Sequence, residues 1–367
     1  KDGFSGQVVV NTMNHRKESF DTEYDAKATL DAARHSTIHV QAVHPEDNVG
    51  TNLADELTPL NYYTILSDEE PASVYTNANL RSFYITQPLQ INMENDSLHM
   101  RFYSPVGIKE VTVMAKSPTM DEYVEFVYID DIPAFADIKT SIKVLEKGLY
   151  RTESGKVLQF SAEEMNPASL SLKIACNDPY WTKISQIKAK WYIKFVLNGG
   201  NPVTGTPNKN WWGIRPVHCR EAVALFLNIG YMCTLEKFQQ RVSTFQGTFL
   251  DNNRYPVDTS TLISRLENLS GFDIGLIYSG NGVSGLGGGR TWGVYQKSFL
   301  YHYENSGGCC STIFHELGHC LGYNHNSTMT YGQWASGCAD VFYKNNIKDF
   351  PVNSHTILKS RSNPNIY

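Results

Sequence analysis

The chain has 367 residues, a formal net charge of −5, 41% hydrophobic residues and 19% charged residues. These proportions belong to packed globular cores rather than to disordered chains, and the mild acidity offers no basic surface to nucleic acid or anionic lipid. The length exceeds that of one ordinary domain, so two are expected.

Taken in chain order, the first half reads as β. Gln7–Val10, Ile38–Val43, Leu98–Tyr103, Lys109–Met114 and Tyr123–Ile129 are short runs rich in Val, Ile, Tyr and Phe. Turn clusters such as Ser104-Pro105-Val106-Gly107 and Ser117-Pro118-Thr119 separate them, a spacing that predicts a sandwich of short strands. Phe135–Leu145 fits either another strand pair or a short helix. His15, His35, His39, His44 and His99 lack a metal-ligand context and are assigned structural or surface roles. The chain opens Lys1-Asp2-Gly3-Phe4 without the charged and apolar regions of a signal peptide, so it either carries none or starts after one.

The second half alternates helix and strand. Lys190–Leu197 predicts a strand, Asn198–Asn210 a Gly/Pro/Asn loop, and Glu221–Leu227 and Thr234–Phe245 two helices. Asp258–Leu269 predicts a helix capped by Asp258 or Thr259. Phe272–Tyr278 and Ser298–Tyr303 are strand candidates, with the glycine-rich run Gly285–Gly289 between them. This change of character places a boundary near residue 175, giving a β-rich domain over 1–175 and an α/β-patterned one over 176–367, α+β as a whole. The longest apolar stretch, around Ala222–Met232, is far short of the roughly 20 residues of a membrane span. Of seven cysteines, Cys309, Cys310, Cys320 and Cys338 crowd one region, and no Cys-x-x-Cys pair offers a zinc site. One or two local disulfides and buried free thiols are both open readings there.

Residues 315–325 read His-Glu-Leu-Gly-His-Cys-Leu-Gly-Tyr-Asn-His. On a helix His315 and His319 lie one above the other, so two imidazoles can face one ion. Glu316, next to the first ligand, can reach a water activated by the metal without ligating it. Ile313, Phe314, Leu317, Cys320 and Leu321 give the helix a face to bury. Gly322 allows the chain to turn back, and His325 then supplies a third nitrogen. Three protein ligands leave one tetrahedral position open, which marks a catalytic rather than a structural zinc site. Such a pattern arises by chance in about one chain in tens of thousands of this composition.

This run resembles the extended signature of the metzincin zinc peptidases, and Ser327-Thr328-Met329-Thr330-Tyr331 resembles their Met-turn. The resemblance implies a metzincin-like catalytic domain behind a β-sandwich-like N-terminal domain: a twisted mixed sheet, an active-site helix and a small C-terminal subdomain. It implies Zn2+ on His315, His319 and His325, Glu316 as catalytic base, Met329 as the hydrophobic floor and Tyr331 as ligand or transition-state donor. By order along the chain it also assigns Gly289, Arg290, Thr291, Trp292 and Gly293 to an antiparallel edge strand that pairs with the substrate backbone. Only three residues separate His325 from Met329, so the loop that shapes the specificity pocket in familiar metzincins is nearly absent. The implied function is hydrolysis of peptide bonds in protein substrates, by a secreted or cell-surface protein taken as a monomer. Two alternatives stay open: a binding or adhesion protein with a vestigial zinc domain, and a zinc hydrolase of a non-peptide bond.

Overall fold

The computed structural model describes residues 37–38, 40–41, 60–202, 206–303 and 309–353, with the side chains of 37–38, 40–41, 60–61 and 309–310 excepted. The strand expected at Gln7–Val10 and the histidines His15, His35, His39 and His44 lie outside the described residues. The architecture is α+β, in two compact units: Lys1–Ile65 with Pro88–Thr182, and Leu66–Gln87 with Lys183–Tyr367. The chain therefore passes between the units three times rather than once near residue 175. The segment Leu66–Gln87 falls to the second unit because its strand Ser82–Tyr84 pairs with Tyr192–Lys194.

The first unit holds two four-stranded antiparallel sheets. One contains Tyr63–Thr64, Ala136–Ser141, Ser97–Phe102 and Leu89–Glu94 in that order. The other contains Ser171–Cys176, Ile108–Lys116, Val124–Ile132 and Val40–Gln41. Strands repeat every two residues, so each sheet can turn one row of side chains inward. Leu98, Met100 and Ile138 of the first sheet and Val111, Val113 and Ile129 of the second join one buried cluster. Phe135–Leu145 resolves as the strand Ala136–Ser141. His99 has the structural role expected of it: its ring nitrogens bond Glu94 and Asp137, each at 2.7 Å. Burial alone would lower its pKa, but the Asp137 charge and these hydrogen bonds outweigh burial and lift it to about 9.

The second unit is built on one mixed sheet. Its strands are β1 (Ser82–Tyr84), β2 (Tyr192–Phe195), β3 (Trp211–Trp212), β4 (Gly271–Ile277), β5 (Gly285–Gly288) and β6 (Thr291–Tyr295). The order β5-β6-β4-β2-β1 has β2, β4 and β6 parallel and β1 and β5 antiparallel at its two ends; β3 pairs with β4. The β2-to-β4 crossover carries α1 (Pro216–Thr234), α2 (Glu236–Ser243) and α3 (Thr259–Glu267). Pro216 starts α1 where its missing N–H costs nothing, and the helix is buried almost throughout, as parallel-sheet crossovers require. Asp258 caps α3 by accepting the Ser260 N–H at 3.0 Å. Among the described residues no helix is long and apolar enough to cross a membrane.

One predicted strand is a helix. Ser298–Tyr303 falls largely in α4 (Gln296–Tyr301), whose Leu300 and Tyr301 pack with Val217 of α1. A six-residue apolar run has no period long enough to separate a buried strand from a buried helical turn. After α4 come α5 (Cys309–Cys320), the π-helical turn Gln333–Asp340 and α6 (Val341–Asn346). Cys320 and Cys338 are buried free thiols, so neither joins the local disulfides considered above.

Candidate metal centre

The centre begins with α5. Its apolar residues Ile313, Phe314 and Leu317 are fully buried, which turns His315 and His319 to the opposite side. Two indoles brace the buried face: Trp292 Nε1 donates to the Ile313 carbonyl at 3.3 Å and Trp334 Nε1 to the Phe314 carbonyl at 3.1 Å. The helix then closes in a Schellman turn. The Tyr323 N–H bonds the Gly318 carbonyl at 3.1 Å and the Gly322 N–H bonds the His319 carbonyl at 2.9 Å, with Gly322 at φ +95°. A left-handed residue there suits glycine, as the motif predicts.

That turn brings in the third imidazole. His319 Nε2 stands 3.1 Å from His315 Nε2 and 3.0 Å from His325 Nε2. The other ring nitrogens are committed elsewhere: His319 Nδ1 bonds the Tyr323 carbonyl at 2.7 Å, and His315 Nδ1 bonds the Thr330 carbonyl. A carbonyl only accepts, so both Nδ1 atoms carry the proton and both Nε2 atoms present bare lone pairs. Bare lone pairs at this separation repel unless a cation sits between them. Tetrahedral zinc with three imidazoles at about 2.0–2.1 Å places its nitrogens roughly 3.3–3.4 Å apart, close to the spacing here. The donor set therefore fits a zinc-like ion, and the backbone carbonyls behind His315 and His319 are the partners that usually fix a metal-bound imidazole.

Burial pushes His315 down to about 4 and His319 below its usual value, so both rings are neutral near pH 7, the form that ligates metals. Glu316 lies 3% exposed beside them, one carboxylate oxygen 3.9 Å from His315 Nε2. Desolvation pushes its carboxyl up to about 8, and a cation on the imidazoles would draw it back down. Glycines make room for this side chain. A Cβ on Gly285 would stand 2.3 Å from Glu316 Oε1, and one on Gly287 would stand 2.5 Å from the Glu316 carbonyl.

Met329 is fully buried, and its carbonyl passes so close beneath α5 that a Cβ on Gly318 would meet it at 2.4 Å. Tyr331 is 54% exposed, its ring centroid 4.5 Å from that of His315 and 5.1 Å from that of His325. A cleft of about 670 Å³ is lined by the three histidines, Glu316, Tyr331, Ser336 and the segment Gly282–Gly287.

The predicted substrate strand is not at the edge of the sheet. Thr291–Tyr295 is an interior strand between β4 and β5, and the antiparallel edge strand is β5, Gly285–Gly288. Trp292 is fully buried in the core, while Arg290 bonds Asp273, Ser270 and the Tyr192 carbonyl. None of Gly289, Arg290, Thr291, Trp292 and Gly293 lines the cleft. Gly288, at φ +146°, ends β5, and Gly289, at φ +57°, lies in the bend between the two strands, which a glycine run does not distinguish from a strand. Gly318, Gly285 and Gly287 give no sign of this packing in the sequence beyond being glycine where a strand or helix would favour a side chain. Comparison with protein-family models, with curated proteins and with solved structures finds no match to this chain.

Proposed function

We propose that the protein is a zinc-dependent peptidase with a metzincin-like catalytic unit, in which His315, His319 and His325 hold the metal and Glu316 is the general base. The observation that carries this reading is the convergence of three Nε2 atoms, two of them left unprotonated by Nδ1 bonds to carbonyls, with a buried carboxylate alongside. Zinc, when bound, supplies Lewis acidity that activates water and polarises the scissile carbonyl. Glu316 takes the proton from the attacking water and passes it to the leaving amine, its carboxylate lying in space that the missing side chains of Gly285 and Gly287 leave free. Tyr331, whose ring stands beside those of His315 and His325, is assigned the hydrogen bond to the developing oxyanion.

A peptide substrate is favoured by the sheet edge. β5 has a partner strand on one side only among the described residues, and Gly282–Gly287 line the same cleft as the imidazoles. An extended peptide can add to such an edge through backbone hydrogen bonds, which do not depend on side chains. The test of the metal centre is retention of zinc after dialysis, read by elemental analysis. The expected result is one zinc per chain for the parent protein and a sharp loss for His325→Ala; unchanged zinc content in that variant would remove His325 from the ligand set and overturn the centre as drawn.

A further inference from the structure

His315 and His319 are aligned by their helix, but His325 lies past its end, beyond a left-handed glycine. Something else has to hold it. The segment Leu250–Arg254, some seventy residues earlier in the chain, lies along both flanks of His325. Ahead of it, Asn252 Oδ1 accepts the Asn324 N–H at 2.7 Å while Asn252 Nδ2 donates to the Gly322 carbonyl at 3.0 Å. One amide side chain thus closes both ends of the three-residue turn that leads into His325. Behind it, Arg254 Nη1 donates to the Asn326 carbonyl at 2.9 Å. Further on, the Leu250 N–H donates to Thr328 Oγ1 at 2.7 Å and its carbonyl accepts from Ser327 Oγ at 2.7 Å.

The segment is itself stiff. Asp251 Oδ1 accepts from the Asn253 and Tyr255 N–H groups at 2.8 and 2.9 Å, the Asp251 N–H bonds the Tyr255 carbonyl at 2.8 Å, and Arg254 sits at φ +68°. Turns of this kind hold their shape through the side chain of their first residue. Yet Asn253, Arg254 and Tyr255 are exposed and contribute nothing to the core. A loop so tightly closed and so little buried is better explained by what it grips than by what it packs.

We propose that Leu250–Arg254 is a clamp that positions His325 for the metal, with Asn252 and Arg254 as its positioning residues. The inference rests on the zinc-centre reading and adds to it a second element that the metal site needs. Ligand-orienting partners of this kind typically change metal affinity by roughly 10–100-fold when removed.

The experiment measures zinc affinity by chelator competition and the visible spectrum of the cobalt-substituted protein, for the parent and for Asn252→Ala, Asn252→Asp and Arg254→Ala, with melting of the zinc-stripped proteins alongside. Asn252→Ala is expected to bind zinc roughly 10–100-fold more weakly and to change the cobalt spectrum, while the stripped protein melts as the parent does. Asn252→Asp keeps the acceptor for the Asn324 N–H and is expected to recover part of the loss. Arg254→Ala, at an exposed position, is expected to show a smaller loss of the same kind. Parent-like affinity and spectrum in both alanine variants would overturn the clamp while leaving the zinc centre standing. A parent protein that binds neither metal would instead overturn the zinc centre itself.

Discussion

With Glu316 replaced by glutamine, the protein is expected to keep its zinc and to lose roughly 10²–10⁴-fold in kcat on peptide substrates. Glutamine has nearly the same shape, so it fits between Gly285, Gly287 and His315 without moving the imidazoles. What it lacks is a group that can take up and release a proton. The residual activity measures metal binding and substrate alignment without proton transfer. Steady-state kinetics on a cleavable peptide, with zinc content measured on the same sample, checks both halves. Full turnover by the glutamine variant would remove Glu316 from the mechanism.

The second large effect is expected at Gly318, which carries no chemistry. An alanine Cβ there would stand 2.4 Å from the Met329 carbonyl oxygen, a backbone atom that cannot swing aside. The turn must move, and Thr330, the next residue, supplies the carbonyl that fixes His315 Nδ1. Overpacking of this kind costs about 1–3 kcal/mol, and the zinc site is expected to loosen with it. Gly322→Ala is the informative contrast. No atom lies within 4 Å of a Cβ there, so only the left-handed backbone is strained, at about 1–2 kcal/mol. Gly318→Ala should therefore lose more zinc affinity than Gly322→Ala even where their melting temperatures fall alike. Equal zinc affinity for Gly318→Ala and the parent would show that the Met329 turn does not hold the site.

The convergence of His315, His319 and His325 was legible because each histidine offset answers to helix geometry or to one glycine turn. The strands Ser97–Phe102, Ile108–Lys116 and Val124–Ile132 were legible from alternating β-branched and aromatic residues. The end strand of the sheet was placed one strand too late because Gly285–Gly288 has a single side chain, Leu286, and so no alternation to read. Gly285 and Gly287 lack side chains because Glu316 occupies that space, a reason that exists only in three dimensions. Asn252 was invisible for a similar cause: an asparagine in a polar loop signals a turn, and its bonds to Gly322 and Asn324 span seventy residues. For Cys320 the sequence left a bridge and a buried thiol both open, and its thiol donates to the Thr291 carbonyl at 3.3 Å.

Zinc-dependent peptide hydrolysis is tested by a mass-spectrometric cleavage profile on a denatured protein substrate. Zinc-loaded protein is compared with the same sample after chelation and after zinc is restored. New peptide termini are expected with the loaded protein, none after chelation, and the same termini once zinc returns. A folded, zinc-loaded protein that cuts no peptide bond would contradict this expectation.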